Sequence, residues 1–126
     1  MEKYGIISKM NKFVEKRWGY ERWFANNREE NYCGKELFIN KDCHTSMHFH
    51  LNKHEVFYII EGTLRLDLID TEIGEEKTIF LNKEESYEVE QGQPHQLIAY
   101  QGSVKIIEAS TYHEDRDSYR VYTEIR

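Results

Sequence analysis

The chain has little of what marks membrane, secreted or disulfide-rich proteins. Among its 126 residues there are one proline and two cysteines. The longest purely apolar run, Val56–Ile60, is far shorter than the roughly 18 residues that a membrane-spanning helix needs. The N-terminal residues hold no continuous apolar stretch of the length of a secretory signal. We therefore expect Cys33 and Cys43 to be free thiols and the protein to be cytoplasmic, without a membrane partner.

The chain also lacks an excess of positive charge. Its 17 basic residues are outnumbered by 23 acidic ones, which gives a formal net charge of −6. Because the basic residues do not cluster, no nucleic acid is expected as a partner. The length fits a single domain. Aromatic residues, at 13%, are frequent enough to fill a compact core, so that a disordered chain is not expected either.

The first residues have a different apolar spacing from the rest of the chain. Ile6, Ile7, Met10, Phe13 and Val14 recur at helical spacing. This pattern predicts a short amphipathic helix at the start of the chain. We expect its apolar stripe to pack on the domain or on a second subunit.

After this segment the apolar period changes to two residues. Leu64, Leu66 and Leu68 alternate with polar residues, which is typical of a strand with one buried face. Turn-forming residues separate the apolar runs at intervals of about 8 to 12 residues. The sequence therefore predicts an all-β fold with antiparallel sheets, a sandwich or a barrel. Further short strands are predicted at Leu37–Ile39, Val56–Ile60, Thr78–Leu81, Tyr87–Val89, Gln96–Tyr100 and Val104–Ala109.

A group of histidines with one glutamate forms the candidate metal site. His48 and His50 are two residues apart, so on a strand their side chains project from the same face. Neighbouring imidazoles on an inward face are costly unless a group such as a divalent metal ion binds their lone pairs. Glu55 follows after a four-residue turn, and His95 begins a later strand as a candidate fourth ligand. The remaining histidines are expected to be structural: His44, His54 and His113.

The spacing of these residues resembles that of the cupins. Two histidines, a glutamate and a glycine from His48 to Gly62 match the first cupin motif, and Gly92-x-x-His95 resembles the core of the second. The resemblance implies a double-stranded β-helix, or jelly roll, that binds one divalent metal ion (Zn, Mn, Fe or Ni). The implied ligands are His48, His50, Glu55 and His95.

The same resemblance implies one domain over the whole chain, residues 1–126. Its barrel core is expected at roughly 35–112. An N-terminal arm at 1–30 and a short C-terminal tail at 113–126 flank this core.

A finer resemblance is to cupins of the phosphomannose isomerase type II group. It rests on Lys16–Glu21 (KRWGYE), Cys33–Leu37 (CGKEL) and the tail Glu114–Arg120 (EDRDSYR). It implies an isomerase or epimerase that moves a proton of a sugar or sugar phosphate through an enediol(ate). Arg120 is the candidate for a phosphate or enediolate contact, because a guanidinium offers a bidentate fork, with a surface arginine paired with a neighbouring acid as the alternative. Glu108 is the candidate base, with a structural strand carboxylate as the alternative.

Three other residues have both a functional and a structural interpretation. Lys35 has the same ambiguity as Glu108 between a functional and a structural role, with weaker support. Trp18 and Trp23 have the shape to stack on a sugar ring, but aromatic residues in a small β-barrel are more often core or dimer contacts.

The metal ligands leave two other function classes open. Three histidines and a glutamate equally suit a non-haem iron dioxygenase. A non-catalytic sugar-binding module is the third alternative, although the sequence favours an enzyme with a small-molecule substrate. Small cupins pair through an outer sheet, and covering exposed edges protects a barrel. The resemblance therefore also implies a homodimer.

Overall fold

Eleven β-strands make up most of the structure. The computed structural model describes residues 5–7, 9 and 12–121. Within these residues the one helix is a 3-10 turn at Asp115–Asp117, and no helix is long and apolar enough to cross a membrane. The strands in chain order are β1 (Lys12–Lys16), β2 (Gly19–Asn27), β3 (Tyr32–Ile39), β4 (His48–His50), β5 (Glu55–Glu61), β6 (Leu64–Ile69), β7 (Glu76–Leu81), β8 (Ser86–Val89), β9 (His95–Ala99), β10 (Val104–Ser110) and β11 (Ser118–Arg120).

The strands form two sheets in which the pairings are antiparallel. The six-stranded sheet has the order β1-β2-β3-β10-β5-β8, and the five-stranded sheet has the order β11-β4-β9-β6-β7. From β3 to β6 and from β8 to β10, consecutive strands alternate between the two sheets. This crossing from sheet to sheet is that of a jelly roll. The predicted all-β, antiparallel fold is confirmed.

The apolar core combines side chains from both sheets. Leu64, Leu66 and Leu68 of the five-stranded sheet are buried, as their alternation predicts. Ile59 and Ile106 of the six-stranded sheet are fully buried in the same cluster. Burying a side chain of this size stabilises the fold by about 1.5–3 kcal/mol. Every strand predicted from the sequence overlaps an observed one.

The predicted N-terminal helix is wrong over Phe13 and Val14. Both residues lie in β1, which pairs with β2 along its whole length. Ile6 and Ile7 have no regular secondary structure and are exposed, and Met10 lies outside the described residues. The physical reason is that β2 offers an open row of backbone hydrogen-bonding groups beside this segment. Strand pairing therefore outweighs the short apolar period, since isolated short helices are marginal in water.

The turn between β1 and β2 depends on a glycine. Gly19 has a φ of +152°, and a Cβ atom built there would collide with the carbonyl oxygen of Phe38. Only glycine fits this close approach without displacing the neighbouring strand. The hairpin of β1 and β2 falls in the predicted N-terminal arm, where it extends the six-stranded sheet.

Candidate metal centre and cavity

Two neighbouring strands and one turn bring the predicted metal ligands together. β4 carries His48 and His50, and His48 pairs with His95, the first residue of β9. The turn after β4 ends at Glu55, the first residue of β5. The ligands therefore come from both sheets, at the ends of strands where the side chains face inward.

Main-chain carbonyl groups hold the histidines in one tautomer. The Nδ1 atoms of His48, His50 and His95 lie 2.8, 3.1 and 2.8 Å from carbonyl oxygens. Because a carbonyl oxygen can only accept, each Nδ1 donates a proton and each Nε2 keeps its lone pair. One ring nitrogen of each residue lies within 4.8 Å of those of the other two. We call His48, His50 and His95 the histidine cluster.

The Glu55 carboxylate lies against this cluster. Its Oε2 is 3.1 Å from Nε2 of His95 and 3.6 Å from Nε2 of His50. Oε2 of Glu55 and Nε2 of His95 are buried and have no hydrogen-bond partner among the described residues. With the proton of His95 on Nδ1, two lone pairs face each other across 3.1 Å, which is unfavourable unless a cation lies between them. The donor set therefore fits a divalent metal ion.

The protonation states of these groups also suit a metal ion. Burial, followed by the influence of His95, lowers the pKa of His48 to about 3. Burial and the charge of Lys53 lower the pKa of His50. Burial alone would raise the pKa of the Glu55 carboxyl, but the charge of Lys53, at 3.3 Å, acts against burial and favours the ionised form. At neutral pH the two imidazoles are therefore neutral and Glu55 is ionised, as metal binding requires.

A buried lysine connects Glu55 to the wall of the barrel. The Nζ atom of Lys53 lies 3.3 Å from Oε1 of Glu55 and 2.9 Å from Oε2 of Glu108. It also lies 2.9 Å from Nδ1 of His113, whose Nε2 is 2.9 Å from Asp115. An ammonium can only donate, so Nδ1 of His113 accepts and its Nε2 donates to Asp115. Lys53 thus has two hydrogen bonds, to Glu108 and His113, and an ion pair with Glu55.

Glu108 and Arg120, the two candidate catalytic residues, lie in different surroundings. Glu108 of β10 is buried, and the charge of Lys53, followed by that of Lys35, overcomes burial and lowers its pKa. Arg120 of β11 is exposed and pairs across the strands with His48. Both side chains line the same cavity as Glu55.

The cavity beside the histidine cluster has a volume of about 1080 Å³. This volume accommodates a small organic ligand. Six basic and five acidic side chains of the described residues line it, although acidic residues outnumber basic ones in the whole chain. The cavity is thus richer in positive charge than the rest of the protein. Its basic residues are Lys12, Lys16, Arg17, Lys35, Lys53 and Arg120.

The two tryptophans and one cysteine also line this cavity. Trp18 packs partly against the core, whereas Trp23 of β2 is 8% exposed. Both face the cavity, as does Cys43. Cys43 and the buried Cys33 are free thiols, as expected. Burial is the main cause of the raised pKa of the Cys33 thiol, which makes that residue unreactive.

Asp117 supports the candidate site, and the sequence analysis did not identify it. Its carboxylate accepts hydrogen bonds of 3.0–3.2 Å from the backbone N–H groups of residues 51–53, the turn that leads to Glu55. Its main-chain oxygen accepts the Nδ1 proton of His50. The sequence analysis also did not identify Lys53 as a partner of Glu55 and Glu108, or His113 as a partner of Lys53. The sequence signal for Asp117 was its place in the acidic tail, but tail-to-turn contacts cannot be read from local spacing.

The fold and the inward-facing histidines define a jelly-roll barrel with a candidate metal centre. A family model described as "Cupin domain" matches residues 38–113, which is more than half of the chain. The chain belongs to the cupin family. A comparison with curated proteins found no match.

Solved structures of two other proteins share this fold. Oxalate decarboxylase from Bacillus subtilis matches with a TM-score of 0.78 and 18% identity, over 94% of this chain and 33% of that chain. The capsular polysaccharide assembling protein CapF from Staphylococcus aureus matches with a TM-score of 0.78 and 14% identity, over 89% and 34% of the two chains. A further decarboxylase structure, with a TM-score of 0.77 and 17% identity over 94% and 34%, is described with Mn(II) centres. The chain spans about a third of the length of these proteins.

Proposed function

We propose that the protein is a metal-dependent enzyme that isomerises or epimerises a small sugar or sugar phosphate. One observation carries this proposal. The histidine cluster and Glu55 present lone pairs that no described residue satisfies, beside a cavity rich in basic side chains. Such a site suits a metal ion together with a small anionic substrate.

The residues that would hold the metal are His48, His50, His95 and Glu55. Two carbonyl-anchored histidines, His48 and His95, pair across β4 and β9, which fixes their separation before any ion binds. When bound, a divalent ion would act as a Lewis acid that acidifies the hydrogen between adjacent oxygens of a sugar. Zn, Mn, Fe and Ni remain the candidate ions, and the Mn(II) centres of the decarboxylase make Mn the first to test.

Glu108 is the proposed base for the proton transfer. Its ion pair with Lys53 keeps it ionised at neutral pH, as a base must be. It lines the cavity and is linked to Glu55 through Lys53. Arg120, next to His48 on the exposed edge strand, is proposed to contact a phosphate or the enediolate.

A second candidate function is favoured by the low pKa of Glu108. A carboxylate held by an ammonium at 2.9 Å is a weak base. Decarboxylation of a small carboxylate, or its reaction with oxygen, does not require a strong base to remove a proton from carbon. Oxalate decarboxylase has the same fold. We therefore keep metal-dependent chemistry of this kind, including that of an iron dioxygenase, as the alternative to isomerisation.

Solvent deuterium exchange tests the proposal directly. The protein is loaded with Zn, Mn, Fe or Ni and incubated without oxygen in deuterated water with mannose 6-phosphate or fructose 6-phosphate. Isomerisation predicts deuterium at C1 or C2, detected by NMR. Glu108→Gln should slow this exchange by about 100-fold or more while the metal content stays the same.

Two outcomes would contradict the isomerase. Absence of exchange with all four metals would exclude it for these substrates. Turnover of a small carboxylate that needs oxygen and Fe(II) would support the alternative. The binding module predicts that the sugar phosphate raises the melting temperature without exchange or turnover.

The predicted homodimer and the cytoplasmic location accompany this proposal as predictions. Sedimentation of the purified protein would test the oligomeric state. Fractionation of cells that make the native protein would test the location.

A further inference from the structure

Lys35 is a buried cation with an aromatic and a carboxylate neighbour but no hydrogen bond to a described residue. It lies in the centre of the six-stranded sheet, on β3, and is 2% exposed. Its Nζ atom is 4.0 Å from the centre of the Trp23 ring and 3.6 Å from Oε1 of Glu21. It donates no hydrogen bond to any residue that the structure describes. Its side chain lines the cavity, so the ammonium has three protons available to a ligand there.

Lys53, the other buried lysine of the cavity, shows how a buried ammonium is paired with polar groups in this barrel. Lys53, 3% exposed, has acceptors within 2.9–3.3 Å on Glu55, Glu108 and His113. Lys35 is as buried, but its ion pair with Glu21 is beyond hydrogen-bond distance at 3.6 Å, and Glu108, its partner across β3 and β10, accepts a hydrogen bond from Lys53 instead. Buried ammonium groups are stabilised by hydrogen bonds to acceptors. An anionic ligand in the cavity would supply the acceptor that Lys35 does not find among the described residues.

The surroundings of Lys35 are ordered and positively charged. The indole N–H of Trp23 donates to Oε1 of Glu21 at 2.9 Å, which fixes the ring. The Nζ atom of Lys12 lies 4.2 Å from the centre of the same ring. Glu21 is already engaged by Trp23 and lies 3.9 Å from Lys16. We call Lys12, Trp23 and Lys35 the lysine wall.

The ring of His113 contacts the same tryptophan. It meets the Trp23 ring edge-on, with 4.9 Å between the ring centres, and its Nδ1 accepts a hydrogen bond from Nζ of Lys53 at 2.9 Å. The Trp23 ring is therefore held by His113 as well as by its hydrogen bond to Glu21.

We propose that the lysine wall is the subsite for an oxyanion of the substrate, a phosphate or a carboxylate, and that Lys35 is its principal ligand. This inference deepens the proposed function and rests on it for the identity of the substrate. It assigns the oxyanion to the six-stranded sheet and leaves Arg120, on the exposed edge of the other sheet, with the enediolate contact that the proposed function also allows. Lys35 then determines specificity for charged over neutral sugars.

Binding of inorganic phosphate to the metal-free protein tests the subsite. The protein is stripped of metal with a chelator and dialysed, and phosphate or acetate is titrated in while binding is measured by calorimetry. Metal removal separates this test from the proposed catalysis, because phosphate cannot then bind to an ion. We expect Lys35→Met to weaken the binding by about tenfold or more. Preference for phosphate or for acetate tells which oxyanion the subsite takes.

Two variants control for charge and folding. Lys77→Met removes the same charge from an exposed strand, β7, and should bind phosphate like the wild type. Lys35→Arg keeps the charge and should retain most of the binding. In the wild type, phosphate should also shift the indole NMR signal of Trp23, assigned with Trp18→Phe, and this measurement needs no Lys35 variant.

The proposal is overturned by either of two results. One is a wild-type protein that binds neither anion and whose Trp23 signal does not move, which would mean that water alone solvates Lys35. The other is equal loss of binding in Lys35→Met and Lys77→Met, or loss only in Arg120→Gln. Loss of isomerase activity in all assays, with phosphate binding intact, would reject the proposed reaction and leave the subsite standing.

Discussion

The histidine cluster and the lysine wall line the same cavity, but the cluster lacks a cation and the wall lacks an anion. The cluster, with Glu55, presents acceptor atoms that face one another without a donor. The wall presents an ammonium whose protons have no hydrogen-bond acceptor among the described residues. One half of the site is incomplete without a cation and the other without an anion. A metal ion and an anionic substrate bound together would complete both.

The largest effect is expected on metal binding, when two histidines of the cluster are removed. We expect the wild type to hold one equivalent of metal and His48→Ala/His50→Ala to hold none, because half of the proposed ligands are gone. Elemental analysis after reconstitution measures this. His54→Ala is the control, since its ring lies near Glu88 outside the site. Metal retained by the double variant would mean that the histidines only line the barrel.

The two buried lysines should differ strongly in their effect on stability. Lys53→Met leaves Glu55 and Glu108 buried without their cation, and we expect a loss of about 3–5 kcal/mol in the free energy of unfolding. Lys35→Met removes one ring contact and an ion pair of 3.6 Å with Glu21, and should change stability by about 1 kcal/mol. Urea denaturation of the metal-free proteins measures both. Equal losses would show that Lys35 is a structural residue like Lys53.

Acidification should weaken the folded state through His113. Its folded pKa of about 4 lies below the ordinary value of 6.5, so the unfolded state binds the proton more readily. Stability is therefore fully present above pH 6.5 and is lost as the pH falls toward 4. The loss assigned to His113 is on the order of 2 kcal/mol. Melting curves of the wild type and His113→Phe at pH 7 and pH 4.5 should show a smaller pH dependence in the variant.

The sequence predicted that His48, His50 and Glu55 lie together because they are close along the chain. A period of two places His48 and His50 on one face, and a short turn delivers Glu55. The same periodicity located the strands of the core. His95 was only a candidate fourth ligand until the resemblance to cupins implied it, because its pairing with His48 crosses 47 positions of the chain.

The lysine wall could not be predicted in the same way. The apolar spacing around Phe13 indicated a helix, so that the strand carrying Lys12 was missed. Trp23 and Lys35 face each other only because β2 pairs with β3 in one particular register. Lys53 donates two hydrogen bonds and Lys35 donates none to the described residues. This difference depends on side-chain placement across several strands, which no local pattern encodes.

Asp117 lies near the end of the described chain, far in sequence from the residues that it holds in place. It orients His50, 67 residues earlier in the chain, and its carboxylate binds the turn that leads to Glu55. The turn and the His50 ring can therefore take their final positions only after the chain has been synthesised as far as Asp117.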